Sequence, residues 1–344
     1  MIYHSSILKI LLILVLGFGC AVKSPQNKEK HLTNLRQLTF GGENAEAYFS
    51  SDGKHLIFQA TRDEHLCDQI FTMETTREKI TQVSTGKGRT TCAYFLKDGA
   101  HFVYASTHLG NELCPAKPDY TKGYVWPIYT DYELFLSEFK KQLTQLTSTS
   151  GYDAEATVSP DGKKIVFTSV RDGDLELYTM NIDGSEVRRL TNKLGYDGGG
   201  FFSPNGKQIV FRAFHPTKKE EIDRYQTLLA QHLVEPKTLE IFVIDATGNN
   251  QVQVTNNGAA NFCPFFHPDG NRIIFSSNLA DPSGRNFDLY LINVDGTQLE
   301  QITFNKTFDG FPMFSPDGKQ LVFASNRNGK VRGETNIFIA DWIE

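Results

Sequence analysis

Apolar and polar positions alternate with a period of two along most of this chain, and the alternation is interrupted at intervals by Asp-Gly or Asn-Gly. One phrase with this pattern returns six times: FSSDGKHLIF (Phe49 to Phe58), FLKDGAHFVY (Phe95 to Tyr104), VSPDGKKIVF (Val158 to Phe167), FSPNGKQIVF (Phe202 to Phe211), FHPDGNRIIF (Phe266 to Phe275) and FSPDGKQLVF (Phe314 to Phe323). Each copy reads as two strands joined by a tight turn. A third alternating run follows, as in ELYTMNIDG (Glu176 to Gly184), EIFVIDATG (Glu240 to Gly248) and DLYLINVDG (Asp288 to Gly296). A fourth ends in Thr or Ser: ITQVS from Ile80, LTQLT from Leu143, VRRLT from Val187, VQVT from Val252 and LEQIT from Leu299. The turn glycines Gly53, Gly99, Gly162, Gly206, Gly270 and Gly318 are spaced by 46, 63, 44, 64 and 48 residues. A period in the forties predicts four short strands per unit, hence an all-β, six-bladed β-propeller, with insertions in the two long units.

The sixth unit lacks a fourth run, and an orphan copy, LRQLT (Leu35 to Thr39), precedes the first unit. The pattern therefore predicts that the N-terminal strand completes the last blade and closes the ring, which removes the exposed edges of an open sheet.

The combination S-P-D-G-K-x-I-V-F, S-x-R-D/N-G, I-Y/F-x-M/I and R-x-L-T resembles the PD40 repeat of the TolB-type propellers over about residues 34–344. That resemblance implies a scaffold whose activity lies in sites on one face. The α/β domain that precedes the TolB propeller has no counterpart in the short polar stretch from Ala21 to Thr33. The repeat is also similar to the propellers of prolyl-oligopeptidase-type peptidases, but the sequence holds no G-x-S-x-G elbow, which sets a peptidase reading aside.

Residues Ile7 to Gly19 form an apolar run behind Lys9, too short to span a bilayer and ending in Leu16-Gly-Phe-Gly-Cys20. This resembles a bacterial lipoprotein signal. The expected division is a signal peptide at 1–19, a polar linker at 20–33 and the propeller at 34–344. Lipidation of Cys20 is expected, with cleavage as an ordinary secretory signal the alternative, and the resemblance, with Ala21 rather than Asp after the Cys, implies the periplasm and the outer membrane. Membrane contact would be through the lipid anchor only.

An oxidising compartment gives Cys67, Cys92 and Cys114 a meaning, because all three fall near the junction of the first two blades. One disulfide is expected among them, with the pairing open. No C-x-x-C spacing points to zinc. A net charge of -5 and the lack of a basic patch exclude nucleic acid as a partner. Phe49, Phe95, Phe202, Phe266 and Phe314 share one repeat position and are assigned to the core.

Aligning the repeats on the turn glycine isolates two rings of candidate site residues. Nine positions before it stand Asn44, Thr90, Asp153, Asp197, Asn261 and Asp309; nine positions after it stand Arg62, His108, Arg171, His215, Leu279 and Arg327. Arginine at the second position suits ion pairs that fix the loop. His108 and His215 replace Arg in the two inserted blades. With Asp153, Asp197 and Glu155 they form a candidate divalent-metal set, in a pattern that resembles the metal-dependent oligogalacturonate lyase propellers.

The first insertion, His108 to Thr130, is dense in aromatic residues, among them Tyr120, Tyr124, Trp126 and Tyr129. The second, Pro216 to Thr238, predicts a helix with a Thr217/Glu220 capping box and a stripe of Ile222, Tyr225, Leu229 and Leu233, stopped by Pro236. Both leave from the same joint and should cap one face, covering either a ligand or each other. The expectation is a binding module for an envelope protein or a small ligand. Its candidate residues are His108, Tyr124, Trp126, Asp153, Glu155, Arg171, Asp197, His215, Asp309 and Arg327. The alternative is a metal-assisted carbohydrate lyase or hydrolase. The sequence does not identify a cofactor.

Overall fold

The computed structural model of the protein describes residues 29–77, 79–139, 142–281 and 283–344. The signal segment and Cys20 therefore lie outside the described residues. Six four-stranded antiparallel sheets form the blades of a propeller. The innermost strands are Glu43–Phe49, Thr90–Phe95, Asp153–Val158, Tyr196–Phe202, Asn261–Phe266 and Asp309–Phe314, and neighbouring ones touch around the ring. The fourth strands are short, such as Ile80–Gln82 and Arg188–Arg189, and lie outermost.

The hairpin turn is the same device in most blades. In blade one the Ser50 hydroxyl donates to Asp52 at 2.6 Å, Asp52 accepts the Lys54 N–H at 3.0 Å, and Gly53 takes φ +72°. Blades three and six repeat it with Ser159–Asp161 and Ser315–Asp317, and Asn205 replaces the aspartate in blade four. A side-chain oxygen thus binds the turn N–H, and the left-handed position needs glycine.

The Thr or Ser that closes each fourth run has an equally definite task. Its hydroxyl accepts a backbone N–H of the third strand: Ile70 to Ser84, Leu134 to Thr147, Leu177 to Thr191, Ile241 to Thr255, Leu289 to Thr303 and Ile337 to Thr39, all at 2.8 or 2.9 Å. Thr39 comes from the N-terminal segment, so the closure of the ring uses the same bond as every other blade. The closing strand runs Leu32–Gln37 against Asn336–Trp342, with Gln37 opposite Phe338. It begins earlier than Leu35, because residues assigned to the linker also pack on blade six. His31 stacks on Trp342 at 4.8 Å, and Glu29 pairs with Arg327 at 3.2 Å.

The core lies between blades, where Phe58, Tyr104, Phe167, Phe211, Phe275 and Phe323 from the second strands are sealed from solvent. Phe49, Phe95, Phe266 and Phe314 join them, whereas Phe202 stays half-buried beside the hairpin turns. Among the described residues no helix is long and apolar enough to cross a membrane.

Candidate functional site: a capped cavity at the mouth of the channel

Every innermost strand carries a β-bulge at one repeat position, seven residues before the turn glycine. The bulged residues are Glu46, Cys92, Glu155, Gly199, Cys263 and Phe311, with φ between +52° and +61°. The register of strands one and two shifts there in all six blades, for example between Ala45 and Tyr48. A left-handed backbone at five non-glycine residues costs on the order of 1 kcal/mol each, and such strain gathers where a side chain must be re-aimed. All six bulged residues except Phe311 and Gly199 carry a titratable group, and all six line one cavity.

That cavity measures about 900 Å³ and opens on the face where strands two and three join. Its walls are aromatic, including Tyr48, Tyr132, Tyr152, Phe201, Phe262 and Phe308. The two insertions form its roof. Trp126–Pro127 of the first pairs antiparallel with Leu233–Val234 of the second, and the Ile128 N–H donates to the His232 carbonyl at 2.8 Å. Val125, Leu228 and Leu233 bury one another beneath this ribbon. The Tyr225 hydroxyl anchors the helix by donating to the Gly195 carbonyl at 2.6 Å and to Asp174. The insertions therefore cover each other and, with Tyr124, Trp126, Tyr129 and Pro236, roof the cavity as well.

The helix is shorter than the sequence pattern suggests. It runs Lys219–Leu229 with Lys218 at the N-cap and no side-chain cap, so the Thr217/Glu220 box does not form. Leu233 leaves the expected stripe because the Trp126 strand offers it a partner, and Tyr225 and Leu228 are the buried helical residues.

At the centre of the wall, Arg212 comes from the second strand of blade four yet reaches the cavity. It passes the innermost strand at Gly198-Gly199-Gly200: a Cβ on Gly199 would fall on Arg212 Nη1, and one on Gly198 would lie 2.7 Å from Glu155. The guanidinium donates to Glu155 and, at 2.6 Å, to the Tyr196 hydroxyl, and it lies 5.4 Å from the Trp126 and Tyr196 ring centroids. Glu155 also accepts from the Gly199 N–H at 2.9 Å and from Thr168 at 2.7 Å. Burial opposes the charge on Arg212, but Glu155 and the neighbouring Tyr196, Cys263 and Tyr152 together outweigh it and hold the guanidinium well above its ordinary range. A second pair, Arg89 and Asp68, meets at 2.5 Å.

Glu46 is different. Burial pushes its carboxyl up to about 7, against the lowering effect of a hydrogen bond from the Cys92 thiol, and the charge of Glu155 pushes it the same way as burial. Burial also raises the thiols of Cys92 and Cys263 well above their usual value, so both stay protonated. The other two cysteines among the described residues, Cys67 and Cys114, form a disulfide that ties the blade-one joint to the first insertion.

Of the candidate site residues and insertion aromatics singled out from sequence, Asn44, Tyr124, Trp126, Tyr129 and Glu155 line the cavity. The aspartates, histidines and arginines of the two rings lie in the joints around it, paired within their own blades. Arg171 bonds Asp153 at 3.0 Å, His215 bonds Asp197 at 2.8 Å and Arg327 bonds Asp309 at 2.6 Å. His108 has no carboxylate opposite, since Thr90 occupies that place; its Nδ1 meets the Ser106 hydroxyl at 2.8 Å. The four metal candidates His108, His215, Asp153 and Asp197 are thus not brought to one point: each makes contacts within its own joint. Among the described residues no three His, Cys, Asp or Glu side chains converge to hold a metal. Sequence reasoning missed Glu46, Arg212, Cys92 and Cys263 as cavity residues. The three consecutive glycines were the signal for Arg212, whereas the bulged ring leaves no such mark because its residues share no side-chain type.

Residues 130–227 and 229–339 match the family model described as PD40, TolB beta propeller domain. Among solved structures, a putative TolB from Agrobacterium tumefaciens superimposes with a TM-score of 0.58 at 16% identity, covering 90% of this chain and 97% of that one. TolB from Acinetobacter baumannii gives 0.57 at 19% identity, with 88% of this chain and 64% of that chain covered. An oligogalacturonate lyase from Vibrio parahaemolyticus gives 0.54 at 14% identity over 89% and 93%. At these identities the likeness is one of fold.

Proposed function

The chain belongs to the TolB β-propeller family, and we propose that it is a binding module whose ligand enters the roofed cavity on the joint face. One observation carries this reading. An aromatic chamber of about 900 Å³ holds a buried, glycine-admitted arginine and bulge-aimed polar side chains, and the same backbone device in six blades builds it. The volume falls within the range of small-molecule sites, and a few fixed polar groups in an apolar wall are their usual chemistry. A groove of about 820 Å³ on the opposite face offers less. It is walled by turn residues such as Lys97, Asp161 and Asn205, and Phe202 is its one aromatic wall residue.

In this reading Tyr124, Trp126 and Glu155 contact the ligand, while the Asp153–Arg171, Asp197–His215 and Asp309–Arg327 pairs hold the joints in shape. The protein works in the periplasm after export, anchored to the outer membrane by a lipid on Cys20. The disulfide supports an oxidising compartment, and Cys20→Ser should release the protein from the membrane fraction.

A thermal-shift screen of small organic compounds tests the binding role, run on the wild type, Trp126→Ala and the turn-face variant Asn205→Ala. Hits should weaken roughly tenfold or more in Trp126→Ala, as when a buried aromatic anchor is lost, and persist in Asn205→Ala. The reverse pattern would move the site to the turn face.

A further inference from the structure

We propose that the cavity selects an organic cation, an ammonium-bearing ligand whose charge is met by the Glu46 carboxylate and whose apolar body lies against the aromatic walls. This deepens the binding role and rests on it.

The charges of the wall carry the argument. Four carboxylates line the cavity, Glu43, Glu46, Asp68 and Glu155, against three guanidiniums, Arg89, Arg212 and Arg285. Arg89 is matched by Asp68 and Arg212 by Glu155. Glu43 and Arg285 are exposed at the rim, where water screens them. Glu46 alone among the inner charges forms no ion pair among the described residues: Arg212 acts on it through space but is bonded to Glu155, and its side-chain partner is the neutral Cys92 thiol. Its φ of +52° is the bulge conformation that the whole ring uses, so the carboxyl is held by the fold rather than by an ion pair.

The surroundings of Glu46 suit a cation and disfavour an anion. Phe311 and Cys92 flank it on the bulged ring, and aromatic faces attract positive charge through their quadrupoles. The wall already shows this preference, because Arg212 lies over the Trp126 and Tyr196 rings. An incoming carboxylate would instead meet Glu46 and Glu155 with no inner guanidinium free of an acid partner.

Protonation gives the proposal a second handle. The groups that set the charge of Glu46 are Glu155 and Asp68, which raise its pKa, and Arg212 and the Cys92 hydrogen bond, which lower it. Burial dominates and leaves it at about 7. A bound cation favours the ionised carboxylate, so the affinity should rise as pH increases through about 7 and level off above it.

The test is calorimetric titration of the purified protein with benzyltrimethylammonium, phenylacetate and neutral benzyl alcohol at pH 6 and pH 8. The ammonium should bind roughly tenfold or more tighter than phenylacetate at pH 8, and several-fold more weakly at pH 6. Glu46→Gln should remove both the preference and the pH dependence, leave benzyl alcohol binding unchanged, and melt no lower than wild type. If Glu46→Gln keeps the full affinity for the ammonium, the proposal is wrong. Equal or tighter binding of phenylacetate or benzyl alcohol, lost in Trp126→Ala, would also overturn it while leaving the cavity a binding site. Should none of the three probes bind at millimolar concentration, the cation proposal falls and the cavity reading loses its support with it.

Discussion

The hairpin turns and the bulges sit on the same strands, a few residues apart, and they treat sequence in opposite ways. At the turns, Ser50–Asp52, Ser159–Asp161 and Ser315–Asp317 are near copies, because one hydrogen-bond geometry must be made and few side chains make it. At the bulges, Glu46, Cys92, Glu155, Gly199, Cys263 and Phe311 share a backbone conformation and almost nothing else. A side chain that serves the backbone is repeated; one that faces an open chamber is free to differ. Variation at a constrained backbone position is therefore what distinguishes the proposed binding end of this propeller from the turn end.

The closing strand is where the comparison breaks most severely, since both faces depend on a closed ring. Removing residues 32–39 strips the partner from Asn336–Trp342 and the Thr39 hydroxyl from Ile337. Aggregation, or a fall in melting temperature beyond about 10 °C, is the expected outcome in a thermal melt. A variant that melts like the wild type would disprove closure by this strand.

Paired glycine substitutions sharpen it next. In Gly199→Ala the new Cβ collides with Arg212, displacing it from Glu155, and an unpaired buried charge costs about 3–5 kcal/mol. In Gly99→Ala the site is open, with φ +68° and no atom within 4 Å, so only the left-handed strain of about 1 kcal/mol remains. Urea unfolding should separate the two variants by at least a factor of two in lost stability. Between these lies Cys114→Ser. It opens the Cys67–Cys114 bridge, spanning 47 residues, for a loss of about 2–4 kcal/mol under oxidising conditions and none after reduction.

The smallest effect is in pH. The turn aspartates Asp52, Asp161 and Asp317 sit below their ordinary value, chiefly through hydrogen bonds from the neighbouring serines. Their stabilisation is present above about 4 and is lost as pH falls through the lowered values. Glu46, Glu133, Glu176 and Asp288 on the joint side are pushed up to about 7 by burial. These groups hold protons more tightly in the folded state, so their favourable contribution is complete in acid and declines as pH rises from the unfolded values near 4 towards 7. Glu46→Gln removes one such term. It should raise the melting temperature by about 2 °C at pH 8 and leave it nearly unchanged at pH 5, as differential scanning calorimetry can read.

Much of the fold was legible because its local devices are written in short sequence phrases. Asp-Gly turns, terminal threonines and the displaced LRQLT each state a hydrogen bond that the structure makes. The same-blade pairs were legible too: aspartate nine positions before the turn glycine accompanies Arg or His nine positions after it in blades three, four and six, and Asn or Thr stands there in the rest. The cavity ring was not. A bulge leaves no compositional trace when its residues have nothing in common, and Arg212 lies in an otherwise regular strand. Leu233 reads as helical because its partner, Pro127, is more than a hundred residues away, and local periodicity carries no record of such a pairing.

Crystals of the protein soaked with a library of small fragments would test the central claim most directly, because the density shows where ligands sit whatever their chemistry. Fragments should collect in the roofed cavity, between Glu46, Trp126 and Arg212, with amine-bearing members favoured. Fragments gathered in the turn-face groove beside Lys97 and Asn205, with the roofed cavity empty, would contradict a binding site on the joint face.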